Sequence, residues 1–260
     1  MYSLDNPPSW LQVLATCPST NRWAIDHGAA LQHGDVVFTT KQTAGRGQQG
    51  RVWVSPPGVL TASFWLRSLP LAQVRYLSLL TGLVTVQWLE NACPEVTTSL
   101  RLKWPNDIWL DGQKLAGILC ETHIASTLPQ ADRVDVVVGL GFNRAADWRN
   151  WTAAKPPISL HQRVAVVPSE IELLTGIRSG LWALAEVLQA RSTESVLTSS
   201  WVRAWNQRDG LRDRQIHGQV GSEFVSGRGR GIDWEGGYQI AQADGSIRSM
   251  TSGQILAWAD

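Results

Sequence analysis

Three glycines and two arginines fall within residues 45–51 (GRGQQGR). Glycine lets a backbone come close to a ligand, and arginine can fork onto carboxylate or phosphate oxygens. The spacing satisfies the dinucleotide pattern GxGxxG and, with Val52, the kinase pattern GxGxxGxV. The first needs a helix to begin on the last glycine, but the chain continues Val52-Trp53-Val54-Ser55-Pro56-Pro57, which cannot begin one. The second needs a VAIK lysine, an HRD loop and a DFG aspartate downstream, and none is present. What remains is an ordinary surface turn or a loop that orders on a bound anion. Three glycines in six residues make a turn costly to order, which favours the anion loop.

A second group lies in residues 103–108 (KWPNDI) and 114–119 (KLAGIL), on either side of Asp111-Gly112, a strong hairpin signal. Folded as an antiparallel pair, the two segments bring Asp107 and Lys114 to the same end of a sheet. The plainer meaning, a solvated hairpin with a stray ion pair, is the commoner one for such charges. A third group, residues 136–143 (VVVGLGFN), reads as a buried strand with two glycines, which mark either close approach of another group or a bulge.

The elements that must position these groups follow from capping and periodicity. Ser19-Thr20-Asn21 caps a helix running to about Leu31, before Gly34. Residues 35–40 and 59–66 read as strands on either side of the glycine-rich loop. Val74, Leu77, Leu80, Val84 and Trp88 give one amphipathic helix over residues 71–93. Residues 101–109, 114–123 and 134–141 are strands of an antiparallel sheet, and helices are predicted over 168–190 and 194–207. Beyond residue 208, short strands at 219–226, 229–233, 238–241 and 246–250 between glycine turns predict a small barrel. Domains of 1–208 and 209–260 result.

Composition narrows the classes further. Apolar residues make up 43% and charged residues 17%, with no run long enough for a membrane helix and no signal-peptide pattern, so a cytoplasmic protein is expected. Cys17, Cys93 and Cys120 are widely spaced and odd in number, as reduced structural thiols would be. With a net charge of +1 and arginines interleaved with aspartates over 203–214, no basic stripe for nucleic acid is visible. The five histidines lack metal-ligand spacing.

Taken in order, Ser19-Thr20-Asn21, Gln42, GRGQQGR, KWPNDI, KLAGIL and GLGFN resemble the motif series of biotin–protein ligases. Gly231-Ile232-Asp233 with Gly237 is similar to that family's SH3-like C-terminal unit. The resemblance implies an α+β fold: a class II aminoacyl-tRNA synthetase-like mixed, largely antiparallel sheet flanked by helices, plus a small C-terminal SH3-like β-barrel. It implies an ATP-dependent ligase that forms biotinyl-5'-AMP and passes biotin to a lysine of a biotin carboxyl carrier protein of acetyl-CoA carboxylase. Positive charge placed in advance would serve the first step, and a closing loop would keep water from the mixed anhydride.

By that resemblance the catalytic residues are Lys114, Arg46 and Asp107. Biotin is held by Ser19, Thr20, Asn21, Gln42, Arg46, Gly47, Gln48, Lys114 and Gly117, and ATP by Arg46, Arg51, Trp53 and Asn143. Asp107 either holds Mg2+ or receives the acceptor lysine's proton. Many relatives read GRGRRGR, so Gln48 and Gln49 replace two charges, and weaker retention of the adenylate is expected. Only 18 residues precede Ser19, so no DNA-binding helix-turn-helix is expected. No membrane partner is expected either, and a homodimer stays open. Competing readings are a lipoate or octanoate transferring enzyme of the same fold and a non-catalytic ligand-binding module.

Overall fold

The computed structural model describes residues 4, 6–123, 132–152, 155–191 and 197–259. In chain order the elements are β1 (Leu11–Leu14), α1 (Thr20–Asp26), β2 (Val36–Thr39), β3 (Val59–Pro70), α2 (Leu71–Val74) and α3 (Leu77–Ala92). There follow β4 (Leu100–Lys103), β5 (Asp107–Leu110), β6 (Gln113–His123), β7 (Arg133–Asn143), α4 (Glu170–Ala190) and α5 (Ser199–Asn206). The chain ends with β8 (Gln215–Val220), β9 (Glu223–Ile232), β10 (Tyr238–Ala241), β11 (Ile247–Met250) and β12 (Gln254–Ala259).

Seven strands form one sheet in the order β1-β2-β3-β7-β6-β5-β4. Only β1 and β2 run parallel, so the mixed, largely antiparallel sheet expected from the resemblance is present. Alternation along the central strands sorts their side chains. Leu60, Ala62 and Phe64 of β3, with Val138, Leu140 and Phe142 of β7, join the main core with α3 and α4. Trp65 and Val137 belong to a second cluster with Ala24 of α1. The positions between them, Thr61, Ser63, Gly139 and Gly141, are small and lie on the α1 side. That face has room for a ligand because its side chains do not fill it.

Several boundaries differ from the sequence reading for local reasons. Residues 101–109 are not one strand but two, β4 and β5, paired from Leu100↔Leu110 to Lys103↔Asp107. Pro105, reached by a cis peptide bond, has no N–H to give to a ladder and sits in the turn between them. The expected single helix over 71–93 is divided into α2 and α3 by an i→i−3 link, Tyr76 N–H to Gln73 O. Helix α1 ends at Asp26, and Gly28–Ala30 forms a separate 3-10 turn. Within the predicted helix over 194–207, residues 194–196 lie outside the described residues, and the helix found begins at Ser199. Helix α4 begins where a capping box forms, with Ser169 and Glu172 bonded reciprocally.

The C-terminal strands form a five-stranded antiparallel sheet, β11-β10-β9-β8-β12, as the expected SH3-like unit requires. The predicted strand over 219–226 straddles the turn of the β8–β9 hairpin, where Gly221 has φ +58°. Strands β1 and β12 had no counterpart in the sequence reading. The expected change of unit at 208/209 falls in the link between α5 and β8. There Leu102 N–H bonds Arg208 O, Gly210 N–H bonds Leu102 O, and Tyr238 Oη donates to the buried Asp209 carboxylate (2.8 Å). The small sheet is therefore tied to the edge strand β4. Among the described residues no helix is long and apolar enough to cross a membrane, and Cys17, Cys93 and Cys120 are free thiols.

Candidate functional site

A cavity of about 160 Å³ opens on the α1 side of the large sheet. One end is a network of hydroxyl and amide side chains closed by the Glu121 carboxylate. Ser19 caps α1 by accepting from Arg22 N–H, which sets the next two residues over the sheet. Thr20 N–H donates to Gln42 Oε1 (3.0 Å), and Ser63 Oγ donates to Asn21 Oδ1 (2.5 Å) and lies in hydrogen-bond contact with the Thr20 hydroxyl (2.7 Å). Asn21 Nδ2 donates to Leu119 O (3.1 Å) and to Glu121 Oε2 (2.8 Å). These polar groups are mostly satisfied and fixed, as a site that reads a polar ring would need.

The other end is cationic. Lys114 Nζ lies 2.6 Å from Asp107 Oδ1, and Lys103 Nζ lies 3.6 Å from Asp107 Oδ2. The hairpin turn that makes this possible has Asp111 and Gly112 both at positive φ (50° and 74°), the two-residue geometry that matches strand twist. Burial pushes the Lys103 ammonium below the ordinary lysine value; Asp107 opposes that shift, and Lys114 and Arg51 reinforce it. Arg46 and Arg51 enter from the glycine-rich loop, which is itself a small hairpin: Gly47 N–H bonds Arg51 O, and Trp53 N–H bonds Gly45 O. Arg46 forks onto both carboxylate oxygens of Glu121 (2.9 and 2.8 Å).

Trp53 lies across the sheet between these ends. A Cβ on Gly141 would sit 2.2 Å from its Cε2, and one on Gly117 3.1 Å from its Cζ3, while a Cβ on Gly139 would meet Asn21 Oδ1 at 2.3 Å. Strand β7 pairs in continuous register through Gly139 and Gly141 with both neighbours. The two glycines are thus places of close approach and not a bulge. The indole N–H of Trp53 is buried against Gly141 and has no acceptor among the described residues.

Of the residues singled out in the sequence, Ser19, Thr20, Asn21, Gln42, Arg46, Gly47, Gln48, Arg51, Trp53, Asp107, Lys114 and Gly117 all line this cavity. Asn143 is not among the lining residues. It is buried beneath the hairpin, where its Nδ2 donates to Lys114 O (3.0 Å) and its Oδ1 has no partner among the described residues. Gln48 faces the cavity, whereas Gln49, at φ 57°, is exposed. Asp107 is a poor metal ligand because each of its oxygens already faces an ammonium. Among the described residues no three His, Cys, Asp or Glu side chains gather as a metal site.

Sequence reasoning passed over six contributors. Lys103 stood in a noted motif, but its burial was not visible there. Ser63 and Glu121 carry no local signal, since only the sheet register brings them to Asn21 and Arg46. Gly253, Gln254 and Ile255 reach the cavity from the small sheet.

Comparison with known proteins bears on this geometry. Residues 13–143 match the Biotin/lipoate A/B protein ligase family. The chain is 30% identical over 246 residues to the "Bifunctional ligase/repressor BirA" of Salmonella typhimurium, covering 94% of this chain and 72% of that one. It is 36% identical over 167 residues to the "Biotin--[acetyl-CoA-carboxylase] ligase" of Paracoccus denitrificans, covering 61% of this chain and 66% of that one. In fold it is similar to the biotin protein ligase of Aquifex aeolicus solved with biotin and ATP. The TM-score is 0.76 at 22% identity, over 96% of this chain and 98% of the other.

Proposed function

The chain belongs to the biotin/lipoate A/B protein ligase family, and from that premise we propose that it is an ATP-dependent biotin–protein ligase. The observation that carries the reading is one cavity with three cations, Arg51, Lys103 and Lys114, at one end, the Asn21–Ser63–Thr20–Gln42 network at the other, and Arg46 held beside that network by Glu121. A neutral polar ring with an anionic tail suits that division.

In the first step a biotin carboxylate oxygen attacks the α-phosphorus of ATP, a P–O bond forms, and pyrophosphate leaves with the electron pair of the broken anhydride bond. Two anions must meet, so charge fixed beforehand at the cationic end lowers the barrier. Lys114, held by Asp107, is the group we place at the carboxylate and phosphate. Arg51 and Trp53 then belong to the nucleotide, and Ser19 to Asn21, Gln42 and Gln48 to biotin. In the second step the acceptor's lysine amine attacks the anhydride carbonyl, an amide forms, AMP leaves and one proton is released. The acceptor we propose is a biotin carboxyl carrier domain. The two lysines occupy Asp107, so its role is to hold them, and magnesium would arrive with the nucleotide phosphates; no step here is routed through it.

Purified protein given ATP, magnesium and biotin is expected to release pyrophosphate, and to label a carrier domain when one is added. Absence of biotin-dependent pyrophosphate would end the ligase reading. Calorimetry with biotin and with lipoate separates it from a lipoate enzyme: tighter binding of lipoate would favour that alternative.

A further inference from the structure

The ligase reading counts Lys103 among the cavity's cations but gives it no contact of its own, although its side chain is only 14% exposed. Its ammonium is not well fixed by its own neighbourhood. Asp107 is 3.6 Å away and is closer to Lys114, while Lys114 and Arg51 repel it. Two aromatic faces complete its surroundings. Lys103 Nζ lies 5.6 Å from the ring centroid of Trp109 in the same hairpin and 5.1 Å from that of Trp258. Trp258 comes from β12 of the small sheet, where it pairs with Ile216. Its ring is set 4.8 Å from Trp109, and Lys155 Nζ lies 3.6 Å from the same ring centroid. An ammonium within about 6 Å of a tryptophan ring is attracted by the ring quadrupole, the more so when partly desolvated.

We propose that Trp258 is a positioning residue: it holds the Lys103 ammonium toward Asp107 and the nucleotide end of the cavity, and so makes the small sheet part of the anion-binding machinery. The proposal rests on the ligase reading above. The nucleotide end is indicated by the company Lys103 keeps, Arg51 and Lys114. If Trp258 were only apolar cover, any side chain of similar bulk would serve.

The test measures kcat and the KM for ATP in biotin-dependent pyrophosphate release by the full chain. The variants are Trp258→Leu, Trp258→Phe, Lys103→Ala and the double variant Lys103→Ala/Trp258→Leu, each checked for folding by thermal denaturation. Trp258→Leu is expected to raise the KM for ATP about tenfold with a smaller change in kcat. Trp258→Phe, which keeps a ring, should recover to within about threefold of wild type, and the double variant should be no worse than Lys103→Ala alone. Equal behaviour of Leu and Phe, or losses that add, would overturn the proposal. Should Trp258→Leu fail to fold, Trp258→Met takes its place as the ring-free variant. A wild-type protein without pyrophosphate release would sink the ligase reading instead. The same variants scored by calorimetric binding of ATP then decide the positioning role, with the same ordering expected and equal binding of the Leu and Phe variants overturning it.

Discussion

The glycine-rich loop and the lysine hairpin both bring cations to one cavity, but they hold them in different ways. The loop is stitched by its own short-range backbone bonds, its Val52 is 77% exposed, and Arg46 reaches the sheet through one ion pair with Glu121. The lysines stand on β4 and β6 of the seven-stranded sheet and share a largely buried carboxylate on β5. Charge on the sheet needs no rearrangement when substrates meet, whereas charge on the loop can follow a ligand. The contrast assigns transition-state stabilisation to the hairpin and retention of the intermediate to the loop.

The sharpest way to break that division is Lys114→Ala. Biotin-dependent pyrophosphate release should fall at least about a hundredfold, the scale on which a preorganised charge acts; near-normal release would shift the weight to the loop. Next come the glycines between the two regions. Gly141→Ala forces Trp53 aside and should raise the KM for ATP about fivefold to tenfold, while Gly139→Ala crowds Asn21 and should weaken biotin binding by a similar factor. Steady-state kinetics and biotin calorimetry on both variants check this, and identical effects from the two would argue against separate ends. The difference in stiffness is tested by melting. Asp107→Asn leaves two ammonium groups without their carboxylate and should lower Tm by roughly 2–6 °C, whereas Arg46→Ala should move it by about 1 °C or less. The smallest effect is expected at Gln48→Arg, which adds a charge to the loop's cavity side and should slow adenylate dissociation several-fold. An unchanged dissociation rate would refute the retention role.

Much of the site was legible before any fold was known, for reasons that are local. A serine followed by threonine and asparagine caps a helix wherever it is placed, and Asp-Gly turns a hairpin through positive φ. The glycines of β7 announced close approach, and the structure names Asn21 and Trp53 as what approaches. The error over 101–109 was avoidable, because a proline inside a strand pattern argues for a break. Asn143 lies under the hairpin and off the cavity lining, since a motif position says that a residue is near a site, not which way its side chain turns.

By itself, then, the sequence determined the capped helix, the lysine hairpin, the glycine-rich loop and the family resemblance, since each rests on contacts or patterns within a few residues. Only the tertiary structure decided that Glu121 engages Arg46, that Ser63 links Thr20 to Asn21, that Gln254 of the last strand reaches the cavity, and that Trp258 of the same strand lies against Lys103. Those contacts join residues 42 to 155 positions apart. Their existence depends on strand order and register, which no single segment encodes.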